Sequence, residues 1–224
     1  MMKKMTIGGF CLGLHLFLGM QTYAGSPEPD WEKLSEEKGI EVFKKEIPGS
    51  PVIAFKGQAM VNAPIAKLIT IMLDASRSTE WIDSLKESRT VRKISDRERI
   101  QYTHIGTPFV MKDRDFVTLS TIETDVPTKT FRLKFKSVTD PAAPETGYVR
   151  GEMMNSSFTF KAFAPDQTYV IAEIHADPKG SVAKWIVNLF QKMWPKNTLE
   201  SLRKQAAKKD IPEEPTYKKL FYPN

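Results

Sequence analysis

The chain has 224 residues, 41% of them hydrophobic and 27% charged, with a formal net charge of +6. That excess is mild: blocks such as Arg97 with Arg99 or Lys208-Lys209 read as solvated faces, and without a basic cluster interleaved with aromatics no nucleic acid is expected as a partner. The single cysteine, Cys11, falls in a segment expected to be removed, which excludes disulfides and thiol chemistry from the rest.

Lys3 and Lys4, the apolar stretch Ile7 to Met20 and the small-residue site Thr22-Tyr23-Ala24 before Gly25 form a secretory-signal pattern over residues 1–24. A spanning helix needs roughly 20 apolar residues, and Gly8, Gly9, Gly13 and Gly19 weaken this shorter stretch. Lipoprotein processing is disfavoured because bulky Phe10 precedes Cys11 with almost no apolar segment ahead of it. Cleavage near Ala24 would leave 200 of the 224 residues, lower the formal charge from +6 to +4, and export the chain to the periplasm or beyond. The remainder suits one domain with a sizeable interior.

In chain order, Asp30 caps an expected helix from Trp31 to Lys38 that Gly39 stops. Runs Ile40 to Ile47 and Val52 to Val61 flank the turn cluster Pro48-Gly49-Ser50-Pro51 and read as a hairpin. Asn62 and Pro64 open a helix through Leu73, in which Ile65, Leu68, Ile69 and Met72 recur at helical spacing, and Ser76 to Leu85 suggests a second, short helix carrying Trp81. Strands follow over Thr90 to Ser95, Arg99 to Gly106, Asp115 to Asp125, Thr130 to Val138, Gly147 to Phe163 with an interruption, and Thr168 to Ala176. Phe131-Arg132-Leu133-Lys134-Phe135-Lys136 alternates strictly, as a sheet with one wet face requires. A last long helix starts at the cap Ser181 and runs to about Lys209, with Val182, Trp185, Ile186, Leu189, Phe190 and Met193 as its apolar stripe and a kink or break expected near Met193 because of Pro195. Residues 213–224 read as a tail in which packing of Tyr217, Leu220, Phe221 and Tyr222 competes with fraying. No internal repeat or low-complexity tract is present.

Pro108 to Val117, with Phe109-Val110-Met111 ahead of Arg114-Asp115-Phe116-Val117, resembles the signature loop and strand of the START family of lipid-carrying domains. Gly39-Ile40-Glu41-Val42-Phe43 looks like the family's first strand, Phe55-Lys56-Gly57 like its second, Trp81 like its helix tryptophan, and Asp177-Pro178-Lys179-Gly180 with Trp185-Ile186-Val187-Asn188 like its entry to the last helix. The element order agrees over nearly all of residues 30–207. The resemblance implies an α+β helix-grip fold, a curved antiparallel β-sheet wrapped around a long C-terminal helix with one lipid in the tunnel between them. It divides the chain into the signal, a lipid-binding domain over 25–212 and the tail over 213–224.

On that basis a sheet face with Phe131, Leu133, Phe135, Phe158 and Phe160 would meet a helix stripe with Trp185, Leu189 and Met193 around the ligand, although each residue singly reads as ordinary core. Sterol-carrying members place a buried carboxylate and arginine where this chain has Ile105 and Ser120, so a sterol mode is not copied; Ser120 is left as a hydroxyl for a headgroup. Phe109 and Met111 form the expected gate, with transient contact at a membrane surface, while Arg114 and Asp115 read as a local ion pair orienting the loop. His104 and His175 lack companions at metal-ligand spacing, and residues 25–224 contain no Gly-x-Ser-x-Gly and no phosphate-cradling glycine loop. No catalytic residue, metal or cofactor is expected, and the chain should act as a monomer. Two rival readings are a polyketide cyclase or aromatase built around His104, and an envelope delivery component with the tail near Phe221 as its handle.

Overall fold

The computed structural model describes residues 30–107, 111–182 and 184–223. The expected leader with Cys11, and Phe109 of the expected gate, lie outside the described residues.

The first element is a strand, β1 (Glu32–Glu37), and not the helix that its cap-like ends suggest. Lys38 and Gly39 both have positive φ, 54° and 66°, and join β1 to β2 (Ile40–Lys45) with Glu37 opposite Ile40. A two-residue hairpin loop of type I′ has that conformation at both central positions, so Gly39 serves a turn and not a helix stop. Trp31 lies under the Lys56 ammonium, 4.7 Å from its ring centroid.

β3 (Ala54–Val61) completes the expected hairpin with β2. Helix α1 (Ile65–Leu73) follows, then a 3-10 turn (Ala75–Glu80) capped by the Asp74 side chain. Six longer strands come next: β4 (Leu85–Lys93), β5 (Glu98–Ile105), β6 (Arg114–Asp125), β7 (Thr130–Ser137), and, after the short β8 (Val149–Arg150) and β9 (Glu152–Met153), β10 (Ser156–Ala164) and β11 (Gln167–Ile174). A two-residue β12 (Ala176–Asp177) pairs with β9. The sheet order is β1-β2-β3-β11-β10-β7-β6-β5-β4, antiparallel throughout, with β8 added parallel to β6. Its inner face wraps the C-terminal helix α2 (Lys184–Ala206), the helix-grip arrangement.

α2 crosses β2, β3 and β11 at its C-terminal half. It runs unbroken through Pro195, against the expected break. The proline ring sits directly on Gly57 of β3, where an added Cβ would come within 2.7 Å of the Pro195 Cβ; this close contact supports the turn that lacks a hydrogen bond. Leu199 and Leu202 are fully buried beyond it, and the Arg203 guanidinium donates to the carbonyls of Met60, Lys38 and Gly39.

Residues 213–223 are likewise no frayed tail. Glu214 caps α3 (Pro215–Phe221) by accepting from the Tyr217 N–H at 2.8 Å. Phe221 is 1% exposed within the main core, Tyr217 meets Phe131 edge-on at 5.2 Å, and the Tyr222 hydroxyl donates to the Ala164 carbonyl. A buried Phe221 offers no handle to a partner.

Candidate functional site

Strand alternation fixes the chemistry of the sheet's inner face. Cross-strand register sets Thr103 of β5 beside Phe116 of β6, Gln101 beside Thr118, and Phe135 of β7 beside Ser120 of β6 and Ser156 of β10. Because successive strand residues point to opposite sides, these positions share one face with Arg114, Phe131, Leu133, Phe158 and Phe160.

Between the upper part of this face and the N-terminal half of α2 lies a predominantly apolar cavity of about 280 Å³. The sheet contributes Gln101, Thr103, Ile105, Phe116, Thr118, Phe135 and Phe158; the helix contributes Ile186, Val187, Gln191 and Trp194. Phe158 forms the floor, in edge contact with Trp81, Phe135 and Trp194 at 6.2, 6.4 and 5.9 Å between centroids. Met111, Gly106, Thr107, Pro178 and Val182 lie around the loops at the other end.

The expected site residues separate into three groups. Phe135, Phe158 and Met111 line the cavity, whereas Phe131, Leu133 and Phe160 sit below its floor as fully buried core. Trp185, Leu189 and Met193 require correction: they are 68%, 47% and 49% exposed on the outer side of α2. The helix's inward face lies nearly half a turn away, centred on Val187, Gln191, Trp194 and, further along, Leu202, with Ile186 and Leu199 at its edges. Ser120 does not line the cavity either; its hydroxyl donates to Gln101 Oε1, and Gln101 is the one that reaches the wall.

Arg114 and Asp115 do not pair with each other, since neighbours on a strand face opposite ways. Asp115, wholly buried on the outer side, accepts from Arg150 at 2.8 and 3.1 Å and from the Thr146 hydroxyl at 2.8 Å. Burial alone would raise its pKa, but these donors and the Arg150 charge outweigh that and hold the carboxyl below its ordinary value. Burial and the Asp115 charge push the neighbouring Tyr102 phenol up to about 12. Arg114 points the other way, into the cavity wall, 5% exposed. Its guanidinium donates to the carbonyls of Lys112, Pro178 and Lys179.

Asp113 organises the loop beside the cavity. It accepts from the Thr107 N–H at 2.9 Å and pairs with His104 Nε2 at 2.8 Å, and these bonds lower its pKa. His104 stacks on Tyr148 at 4.0 Å and belongs to the opposite face from Thr103 and Ile105, so it does not line the cavity. His175 is buried against Ser50 at 2.8 Å, and burial lowers its pKa. No cluster of metal-ligating side chains occurs among the described residues, and no helix among them is long and apolar enough to cross a membrane.

Sequence reasoning passed over Gln101, Thr103 and Thr118; Ser120 came from the family resemblance, and strand alternation, had it been applied from there, reaches them. It also passed over Gln191, a buried amide whose Nε2 donates to the Ala176 carbonyl while Oε1 has no partner among the described residues. A lone glutamine in an apolar helix segment carries no signal of its own.

A family model described as START domain matches residues 19–199. An uncharacterized protein of Pseudomonas aeruginosa is 25% identical over 180 residues, covering 80% of this chain and 88% of its own. The phosphatidylcholine transfer protein of Mus musculus is 24% identical over 179 residues, 78% of this chain and 83% of that one. Among solved structures, human StAR-related lipid transfer protein 5 superposes with a TM-score of 0.75 at 18% identity, over 80% of this chain and 87% of its own; this likeness is one of fold.

Proposed function

The chain belongs to the START domain family, and we propose that its cavity binds a lipid or similar hydrophobe and carries it between membranes. The observation that supports binding is the predominantly apolar, partly open cavity of about 280 Å³ between sheet and helix. Apolar walls left facing water cost free energy that an apolar ligand recovers by covering them, so the ligand stabilises the folded chain. Water-excluding walls hold the ligand, and no reaction is required. Extraction of the natively purified protein into organic solvent, followed by mass spectrometry, is expected to return one lipid class in near-equimolar amount. Thr118→Trp, which fills the cavity from β6, should abolish that recovery while the circular dichroism spectrum stays native. An empty wild type, or a filled variant that still yields lipid, would refute the reading.

Transfer needs contact with a membrane, and the outer stripe of α2 supports it. Trp185, Leu189 and Met193 recur every fourth residue, expose their apolar surface, and back directly onto the helix segment that covers the cavity. Trp185→Asp combined with Leu189→Asp is expected to slow ligand transfer between liposomes about tenfold or more, with affinity for ligand in solution unaltered. Undiminished transfer would reject this docking face. The leader pattern over residues 1–24 supports an exported, periplasmic or secreted carrier.

A further inference from the structure

We propose that Arg114 is the anchor for the anionic end of a single-chain lipid, its carboxylate or phosphate, with the chain running toward Phe158 and Trp194. The proposal rests on the lipid-binding reading of the same cavity and adds the charge and size of the ligand.

Arg114 is a buried cation that no carboxylate touches among the described residues. It lines the cavity at 5% exposure. The buried carboxylates of this fold are matched by arginines, Asp115 by Arg150 and Asp140 by Arg92, whereas Arg114, like Arg203, is held by carbonyls; of those two, Arg114 is the one that lines the cavity. Around Arg114 stand only the neutral carbonyls of Lys112, Pro178 and Lys179, which take one N–H each from Nη1, Nε and Nη2. A guanidinium has five N–H groups, so after these three bonds one on each terminal nitrogen is unspent and can donate to an oxyanion. Asp113, whose charge reaches Arg114, is committed to His104 and Thr107.

The rest of the wall offers no competing charge. Asp83 at the rim is exposed and takes a bond from Asn197, and Glu173 directs its carboxylate to Ser157 on the far side of the sheet. A partly desolvated arginine keeps its proton, and in a low-dielectric wall its attraction for an oxyanion is far stronger than at the surface. The cavity, about 280 Å³, stands at the lower end of ligand sites, which run from about 300 to 1,000 Å³, and so suits one acyl chain better than two. Polar anchor and aromatic floor lie at opposite ends, as a single-chain amphiphile requires.

The carbonyl contacts alone would make Arg114 a staple between two loops, so the test must read ligand charge. The fluorescent polyene fatty acid cis-parinaric acid and its methyl ester share one chain and differ in the anion. The full chain, stripped of lipid, is expected to bind the acid at least about tenfold more tightly than the ester, and Arg114→Met to bring that ratio to about one. Arg114→Lys, which keeps the charge on another shape, should retain part of the preference and covers the case in which the methionine variant does not fold. Equal affinity of the wild type for acid and ester would overturn the anchor alone; binding of neither would overturn the lipid-binding reading as well. Displacement of the acid by inorganic phosphate with the ester retained would make Arg114 a site for free anions and likewise overturn the proposal.

Discussion

Phe221→Ala is expected to lower the unfolding free energy by about 3–5 kcal/mol, the usual cost of hollowing a core at a phenylalanine. Phe221 is 1% exposed, stacks at 6.3 Å on Tyr217, and through it reaches Phe131, which stacks in turn on Phe160 at 6.0 Å. The void would therefore open in the middle of an aromatic series that joins α3 to β7 and β10. Urea titration monitored by tryptophan fluorescence measures the change, and a melting point lower by about 10 °C should accompany it in a chain of this size. A loss below about 1 kcal/mol would mean that α3 is not docked as described. The consequence for experimental design is direct: deleting residues 213–224 removes core, and cannot be used to ask whether a separable tail recruits a partner.

Asp115→Asn is the second large effect. It leaves the shape nearly unchanged but takes the charge from beneath Arg150 and turns an amide N–H₂ toward a group that only donates. Breaking a buried ion pair from one side costs about 3–5 kcal/mol, and since the Arg150 side chain is 32% exposed and can regain water, we expect the lower end, about 3 kcal/mol. The pH dependence gives an independent reading. The folded carboxyl has a lowered pKa, so its contribution is complete above the unfolded value near 3.9 and disappears as pH falls through the folded value. Wild type and variant should thus differ most above about pH 5 and converge under strong acid. A constant difference across that range would count against the ion pair as its source.

Much of the architecture was legible because local signals and tertiary demands coincide. The β2–β3 hairpin, α1, strands β5 to β7 and β10 to β11, and the long last helix all follow from period and turn chemistry. β1 was misread because Asp30 and Gly39 imitate a helix's ends; only pairing with β2, a contact made in space, distinguishes a hairpin glycine from a cap. The cavity's sheet side was within reach of simple alternation, which places Arg114, Phe116, Thr118 and Ser120 on one side of β6. Its helix side was not. α2 carries large apolar residues most of the way round its first turns, Trp185, Leu189 and Met193 on one side and Ile186, Val187 and Trp194 on another, and no pattern in the chain says which stripe meets the sheet. The choice is made further along, by Pro195 on Gly57 and by Leu199 and Leu202 in the core, which set the rotation of the entire rod.

That arrangement gives α2 a firmly held end and a more lightly held one, where Gln191 bonds to the Ala176 carbonyl. From Pro195 onward it is bolted to β3 by a glycine-sized gap and by the Arg203 fork, while before that point it touches mainly the walls of a hollow. A swing of the first three turns would therefore uncover the interior like a hatch, yet leave the bolted half and the aromatic stack beneath it undisturbed. If the cavity carries the proposed ligand, opening it and keeping the body intact would be two separate events, governed by different stretches of one helix.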